Sequence, residues 1–116
     1  MQQYRNTAAA YGWNIELWLE KSQAMPDQGG VSNFNYGMGF GILQACAVCN
    51  SIPLNLIHPV TWKKAIMFGQ GKEKDAAVYR AQQLFPGIVF RGPRGGLLDG
   101  RAEALLIAEY GRRYSV

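Results

Sequence analysis

A chain of 116 residues, 48% of them hydrophobic, is the size of a single domain with one modest core. Its formal charge of +4 favours an anionic partner, because Lys and Arg release condensed counterions when they meet phosphate. No stretch approaches the roughly 20 apolar residues that span a bilayer, and residues 1–6 lack the apolar segment of a secretory signal, so the expected setting is cytoplasmic, with no membrane partner.

Residues 1–11 have the alanine content of a helix end, with Gly12 as its stop. Residues 14–20 alternate as a strand, Ile15, Leu17 and Leu19 pointing one way and Glu16, Trp18 and Glu20 the other. A loop over 25–30 carries Pro26, Asp27 and two glycines. Residues 32–50 suit a helix whose Gly37, Gly39 and Gly41 would admit another backbone or a ligand. Its propensity is poor, at about 1 kcal/mol per Gly against Ala, so packing must hold it. A second strand over 52–58 ends at Pro59, a short helix covers 61–68, and a turn follows at 69–71. An amphipathic helix over 72–85 places Ala76, Ala77, Leu84 and Phe85 on or near its buried side. A loop over 90–98 leads to a last helix over 99–113, with Asp99 as its N-cap. Strand, helix, strand, helices is an α/β order.

Cys46 and Cys49 form a lone C-x-x-C with only His58 to assist, which falls short of a zinc site. Their apolar helical setting points to buried core thiols, with a small redox or structural protein as the alternative they define.

Two acidic features carry more chemistry. Glu20 ends the first strand, and Asp99 and Glu103 are spaced i, i+4, which puts them on one helix face. If that helix packed against the strand, three carboxylates would converge. Such an oxygen-rich set suits Mg²⁺, which keeps several waters and takes one or two carboxylates per ion. The bland alternatives are an N-cap Asp and a solvated strand-end Glu. Basic residues flank these positions: Lys63, Lys64, Lys72 and Lys74, then Arg91, Arg94 and Arg101. A phosphodiester substrate needs such anchoring, although a solvated basic face produces the same pattern. Phe34, Tyr36 and Phe40 offer rings that could stack on unpaired bases, or could simply form core.

Taken in order, these segments resemble the RuvC-like Holliday-junction resolvases, particularly phage-type members. The resemblance is carried by Leu19-Glu20-Lys21-Ser22-Gln23-Ala24-Met25-Pro26, by Phe34 and Gly37-Met38-Gly39-Phe40-Gly41, and by His58-Pro59 with Trp62-Lys63-Lys64. It continues through Gly71-Lys72-Glu73-Lys74-Asp75, Leu84-Phe85-Pro86 and Asp99-Gly100-Arg101-Ala102-Glu103-Ala104-Leu105-Leu106-Ile107-Ala108. It covers roughly residues 13–113, within one nuclease domain taken to span 1–116. It implies an RNase H-like α/β fold and two-metal cleavage of four-way or branched DNA with Mg²⁺, or Mn²⁺ in its place, by a homodimer serving recombination and repair. By position, Glu20, Asp99 and Glu103 match metal-binding carboxylates and Lys74 the lysine near the scissile phosphate. Lys63 or Lys64 matches a DNA contact, and Lys72, Arg91, Arg94, Arg101 and Phe34 are the further DNA-binding candidates. Most relatives carry Asp where this chain has Glu103. Asp99 lies four residues before it, as in several phage-type relatives, whereas the bacterial pattern places its partner three before, where Gly100 stands.

The family also begins with a β-hairpin bearing an essential Asp. Residues 1–11 contain no Asp or Glu, so the resemblance implies a domain lacking its first strands, through a late start, an incomplete product or a separately encoded segment. A catalytically incomplete module that binds branched DNA without cutting it is the corresponding alternative.

Overall fold

A computed structural model describes residues 1–21 and 25–115. Of the segments that carried the resemblance, Ser22, Gln23 and Ala24 lie outside the described residues. The chain divides into two compact units, Met1–Ile57 and His58–Val116. Among the described residues they comprise five helices and one two-stranded parallel sheet, a small mixed α/β fold. No helix among them is long and apolar enough to cross a membrane.

The first unit opens with α1 (Gln2–Tyr11), closed by Gly12 in the left-handed conformation at φ 70°. A side chain there would be strained, and the glycine frees the backbone to turn out of the helix. Tyr11 and Trp13 stack across this turn with ring centroids 4.7 Å apart. The strand β1 (Leu17–Glu20) pairs in parallel with β2 (Leu54–Ile57), with Leu17 opposite Leu54 and Glu20 opposite Ile57. The ladder is prolonged by bonds from the Leu17 amide to the Pro53 carbonyl and from the Lys21 amide to the Ile57 carbonyl.

Both strands are shorter than the alternation predicts. Residues 14–16 stay outside β1, where the Glu16 carboxylate instead accepts a bond from the Trp18 indole at 2.8 Å. All four residues of β1 are half-buried, so the two faces are less distinct than a strict in/out alternation requires.

Between the strands runs α2 (Gly30–Cys49), the crossover that a parallel pair demands. Asn33 fastens the preceding loop to it, accepting from the Met25 amide at 3.2 Å and donating to the Met25 carbonyl at 3.3 Å. Of its side chains only Ala47 is fully buried, and Phe34 and Tyr36 are 70% and 65% exposed. The helix ends with the Asn50 side chain donating to the Cys46 carbonyl and with Ser51 at φ 54°, an uncommon conformation for a residue with a Cβ. Cys46 is half-buried and Cys49 exposed, both free. This corrects the reading of both as core thiols: Ala47 is the one side chain of α2 that is buried, so the helix end has no core to receive them.

The second unit contains α3 (Pro59–Ile66), α4 (Ala76–Leu84) and α5 (Asp99–Tyr114). Helix α3 starts two residues earlier than predicted because Pro59 occupies its first turn, where a missing N–H costs nothing. Helix α4 starts four residues later, leaving residues 72–75 as a turn. Helix α5 packs on both α3 and α4. The core between them is Trp62, Ile66, Val78, Ala81, Ala102 and Leu106, joined by Phe90 from the loop, all essentially sealed from solvent. Ala76, as expected, and Val78 and Ala81 are the buried residues of α4; Ala77, Leu84 and Phe85 are only half-buried. A bond of 2.8 Å from the Arg80 side chain to the Ile66 carbonyl ties α4 to the end of α3.

Candidate functional site

Each unit has its own cleft, and the richer chemistry is in the second. Asp99 is the first residue of α5 rather than its cap; Leu98 is the N-cap, and no side chain caps that end. Because the Asp99 backbone is already helical, its carboxylate is not placed to bond the first-turn amides as an N-cap does. Its Oδ1 is instead buried with no hydrogen-bond partner. An acidic group at a helix N-terminus is favoured by the helix dipole, yet a buried oxygen without a donor is costly. That combination leaves a carboxylate oxygen available to a cation.

Glu103 follows one turn later, half-buried. The two carboxylates open onto different spaces. Asp99 lines a cleft of about 420 Å³ with Lys74, Asp75 and Leu97. Glu103 lines a cleft of about 500 Å³ with Lys63, Lys72, Glu73 and Lys74 among its neighbours, floored by the buried Trp62. Lys74 borders both. The late start of α4 produces this arrangement, because it frees residues 72–75 from the helix and leaves their charged side chains at the mouths of the clefts.

The lysines are exposed. The only ion pairs among the described residues are those of Glu109, so Lys63, Lys72 and Lys74 border the clefts without an ion pair to a described carboxylate. The Lys63 ammonium stands 5.6 Å from the centre of the Trp62 ring, within range of a cation–π contact that limits its wandering. Lys64 is exposed on α3 but does not line either cleft.

The arginine loop is ordered by itself. Residues 91 and 97 form an isolated antiparallel bridge, and the Arg91 guanidinium donates to the Gly95 carbonyl at 2.9 Å. Arg91 is therefore partly committed to holding its own loop, whereas Arg94 and Arg101 are exposed.

In the first unit, Glu20 lines an apolar cleft of about 390 Å³ with Asn35, Tyr36, Gly39 and Phe40. Tyr36 and Phe40 thus share a space with the strand-end carboxylate, while Phe34 stands outside it. Within neither unit do three or more His, Cys, Asp and Glu side chains, among the described residues, gather as ligands for one metal ion.

Two residues escaped the sequence reading. Glu109 is buried on α5 and held by Arg112 at 2.5 Å and Arg113 at 2.9 Å. Hydrogen bonds from Arg112 lower its carboxyl pKa to about 2 against the opposing effect of burial, with Arg113 assisting. The i+3 and i+4 spacing of the arginines was the signal available. Glu73 is the other: its carboxylate lies over the Cα of Gly71, which nothing in the sequence announces. Compared with known proteins, the chain matches no family model, and no curated protein shows significant similarity to it.

Proposed function

We propose that the chain is a metal-dependent endonuclease of the RuvC-like, RNase H-like kind, acting on four-way or branched DNA. The observation that carries this reading is the pairing, in one small unit, of a buried carboxylate oxygen with no partner on Asp99 and an exposed Lys74 bordering the clefts of both Asp99 and Glu103. Phosphodiester cleavage asks for that juxtaposition: oxygen ligands for a cation beside ammonium groups for the phosphate.

The donor set fits Mg²⁺, or Mn²⁺ in its place. Asp99 and Glu103 each offer hard carboxylate oxygens in their own cleft, Mg²⁺ takes only one or two such ligands and fills the rest of its shell with water, and Asp99 Oδ1 lacks any competing donor. When bound, such an ion activates water for attack and stabilises the leaving oxygen. The chain's own residues do the remaining work. Lys63, Lys72 and Lys74 anchor the DNA backbone, and Lys74 offsets charge that develops on the phosphate. Arg94 and Arg101 extend the basic approach to the start of α5. Tyr36 and Phe40, beside Glu20, offer rings on which an unpaired base near a branch can stack.

The test is cleavage of a labelled synthetic four-way junction beside a linear duplex, with Mg²⁺ and then with EDTA, using the chain and its Glu20→Gln and Asp99→Asn variants. Paired nicks confined to the junction, dependent on metal and lost in both variants, support the proposal. Selective junction binding without cutting replaces it with a binding module. A folded chain that neither binds nor cuts removes the DNA assignment.

A further inference from the structure

The turn between α3 and α4 holds a carboxylate that the proposed hydrolysis does not use. Glu73 stands in sequence between Lys72 and Lys74, and all three line the larger cleft with Lys63. Its side chain folds back so that Oε2, Cδ and Oε1 are the atoms nearest to where a Cβ on Gly71 would be, well inside contact distance. Gly71 is not among the glycines with positive φ, so its backbone tolerates any L-residue. A side chain at position 71 would have to displace the Glu73 carboxylate from where it lies.

That carboxylate is exposed and has no ion pair among the described residues. The cleft therefore contains two anionic oxygens on a flexible tether, edged by three unpaired ammonium groups and not locked to any of them. In charge and oxygen count it imitates a bound phosphate.

We infer that this cleft is a phosphate subsite, formed by Lys63, Lys72 and Lys74, which Glu73 lines as a tethered anionic competitor that swings out when a phosphate enters. The inference deepens the nuclease reading and rests on it for the source of the phosphate, a DNA backbone. A tethered carboxylate competes with every incoming anion, so it lowers affinity for loose polyanions and leaves the site to a ligand that presents its phosphate from a fixed frame.

The experiment measures binding of pyrophosphate, by amide shifts of residues 71–74, and of the labelled four-way junction in EDTA, by fluorescence anisotropy. It uses the full chain and its Glu73→Gln, Gly71→Ala, double, and Asp27→Asn variants. Glu73→Gln is expected to tighten both ligands by up to about fivefold, the scale of one screened surface charge pair. Gly71→Ala changes no charge, yet its methyl group displaces the carboxylate and is expected to give a similar gain. The double variant is expected to bind no tighter than Glu73→Gln alone. Asp27→Asn alters the net charge equally at a residue that does not line the cleft, and serves as the control for net charge alone.

The inference is overturned if Gly71→Ala binds as the wild type does, if the two gains multiply in the double variant, or if Glu73→Gln gains no more than Asp27→Asn. That last comparison decides the matter alone should Gly71→Ala lose the fold. The expected pyrophosphate pattern with no junction binding upholds the subsite and removes the nucleic-acid reading, so the two failures are separable.

Discussion

Asp99 and Glu103 stand one turn apart on α5 yet open into different clefts, and Lys74 borders both. A single ammonium thereby borders two carboxylates without an ion pair to either, which makes each of the three groups separately testable.

Replacing Asp99 with Ala should leave the fold intact or strengthen it. The variant relieves a buried oxygen that has no partner, at about 1–3 kcal/mol, and forfeits a helix-dipole interaction of about 0.3–1 kcal/mol. The expected net gain is on the order of 1 kcal/mol in urea unfolding, accompanied by loss of junction cleavage. A destabilised variant would show that Oδ1 has a structural partner.

Divalent cations should stabilise the wild type and not the carboxylate variants. Ligand binding to the native state alone adds about 2.7 kcal/mol at a hundredfold excess over Kd, so Mg²⁺ should raise the Tm and EDTA should return it. Asp99→Ala and Glu103→Ala should each cut that rise substantially. An equal rise in all three proteins places the cation elsewhere.

Loss of a cleft lysine should weaken DNA binding irrespective of sequence and flatten its salt dependence. Each phosphate contact removed lowers the slope of log K against log salt by about 0.9, which is the expectation for Lys63→Ala, Lys72→Ala and Lys74→Ala. Lys74→Ala should also slow cleavage at saturating DNA. Arg91→Ala differs in kind, because it breaks the bond to the Gly95 carbonyl and should loosen the 90–98 loop, seen as faster amide exchange at Gly92 and Leu98.

Stability should fall in acid through Glu109. Its carboxyl titrates near 4.5 when unfolded and at about 2 in the folded chain, held down chiefly by Arg112. A lowered folded pKa means the contribution is complete above about 4.5, declines as the pH drops, and is gone below about 2. Glu109→Gln should flatten that interval and cost about 1–2 kcal/mol at neutral pH, since two arginines lose a charged acceptor. Unfolding curves between pH 2 and 6 that coincide in slope for the two proteins would exclude this assignment.

Local chemistry predicted much of the secondary structure. Gly12 stops α1 because a left-handed residue is needed there, and the order of two strands and four later helical segments follows from periodicity and Pro/Gly punctuation. Boundaries failed where tertiary demands prevailed. Residues 72–75 have helical composition, but their charged side chains remain in a turn at the cleft mouths, and burial of Ala76 and Val78 sets where α4 begins. Asp99 has the residue type of a cap, but Leu98 takes the cap position and draws the Asp into the first turn. Asp99 and Glu103 were named as candidates from spacing and resemblance, and Lys74 from resemblance. Their distribution between two clefts was not, because it depends on how α5 packs across α3 and α4, which no local pattern encodes.

The parallel pairing of β1 with β2 has a kinetic consequence. No hairpin can zip these strands together: the α2 segment must be crossed before the first ladder bond forms, and four glycines, Gly30, Gly37, Gly39 and Gly41, weaken the helix that makes the crossing. Loop-closure entropy thus precedes any reward from the sheet. On a ribosome, Leu17 emerges well before Leu54, so the edge of β1 that β2 will cover stays open while β2 is made, and the rate of this step sets how long an adhesive edge is on display.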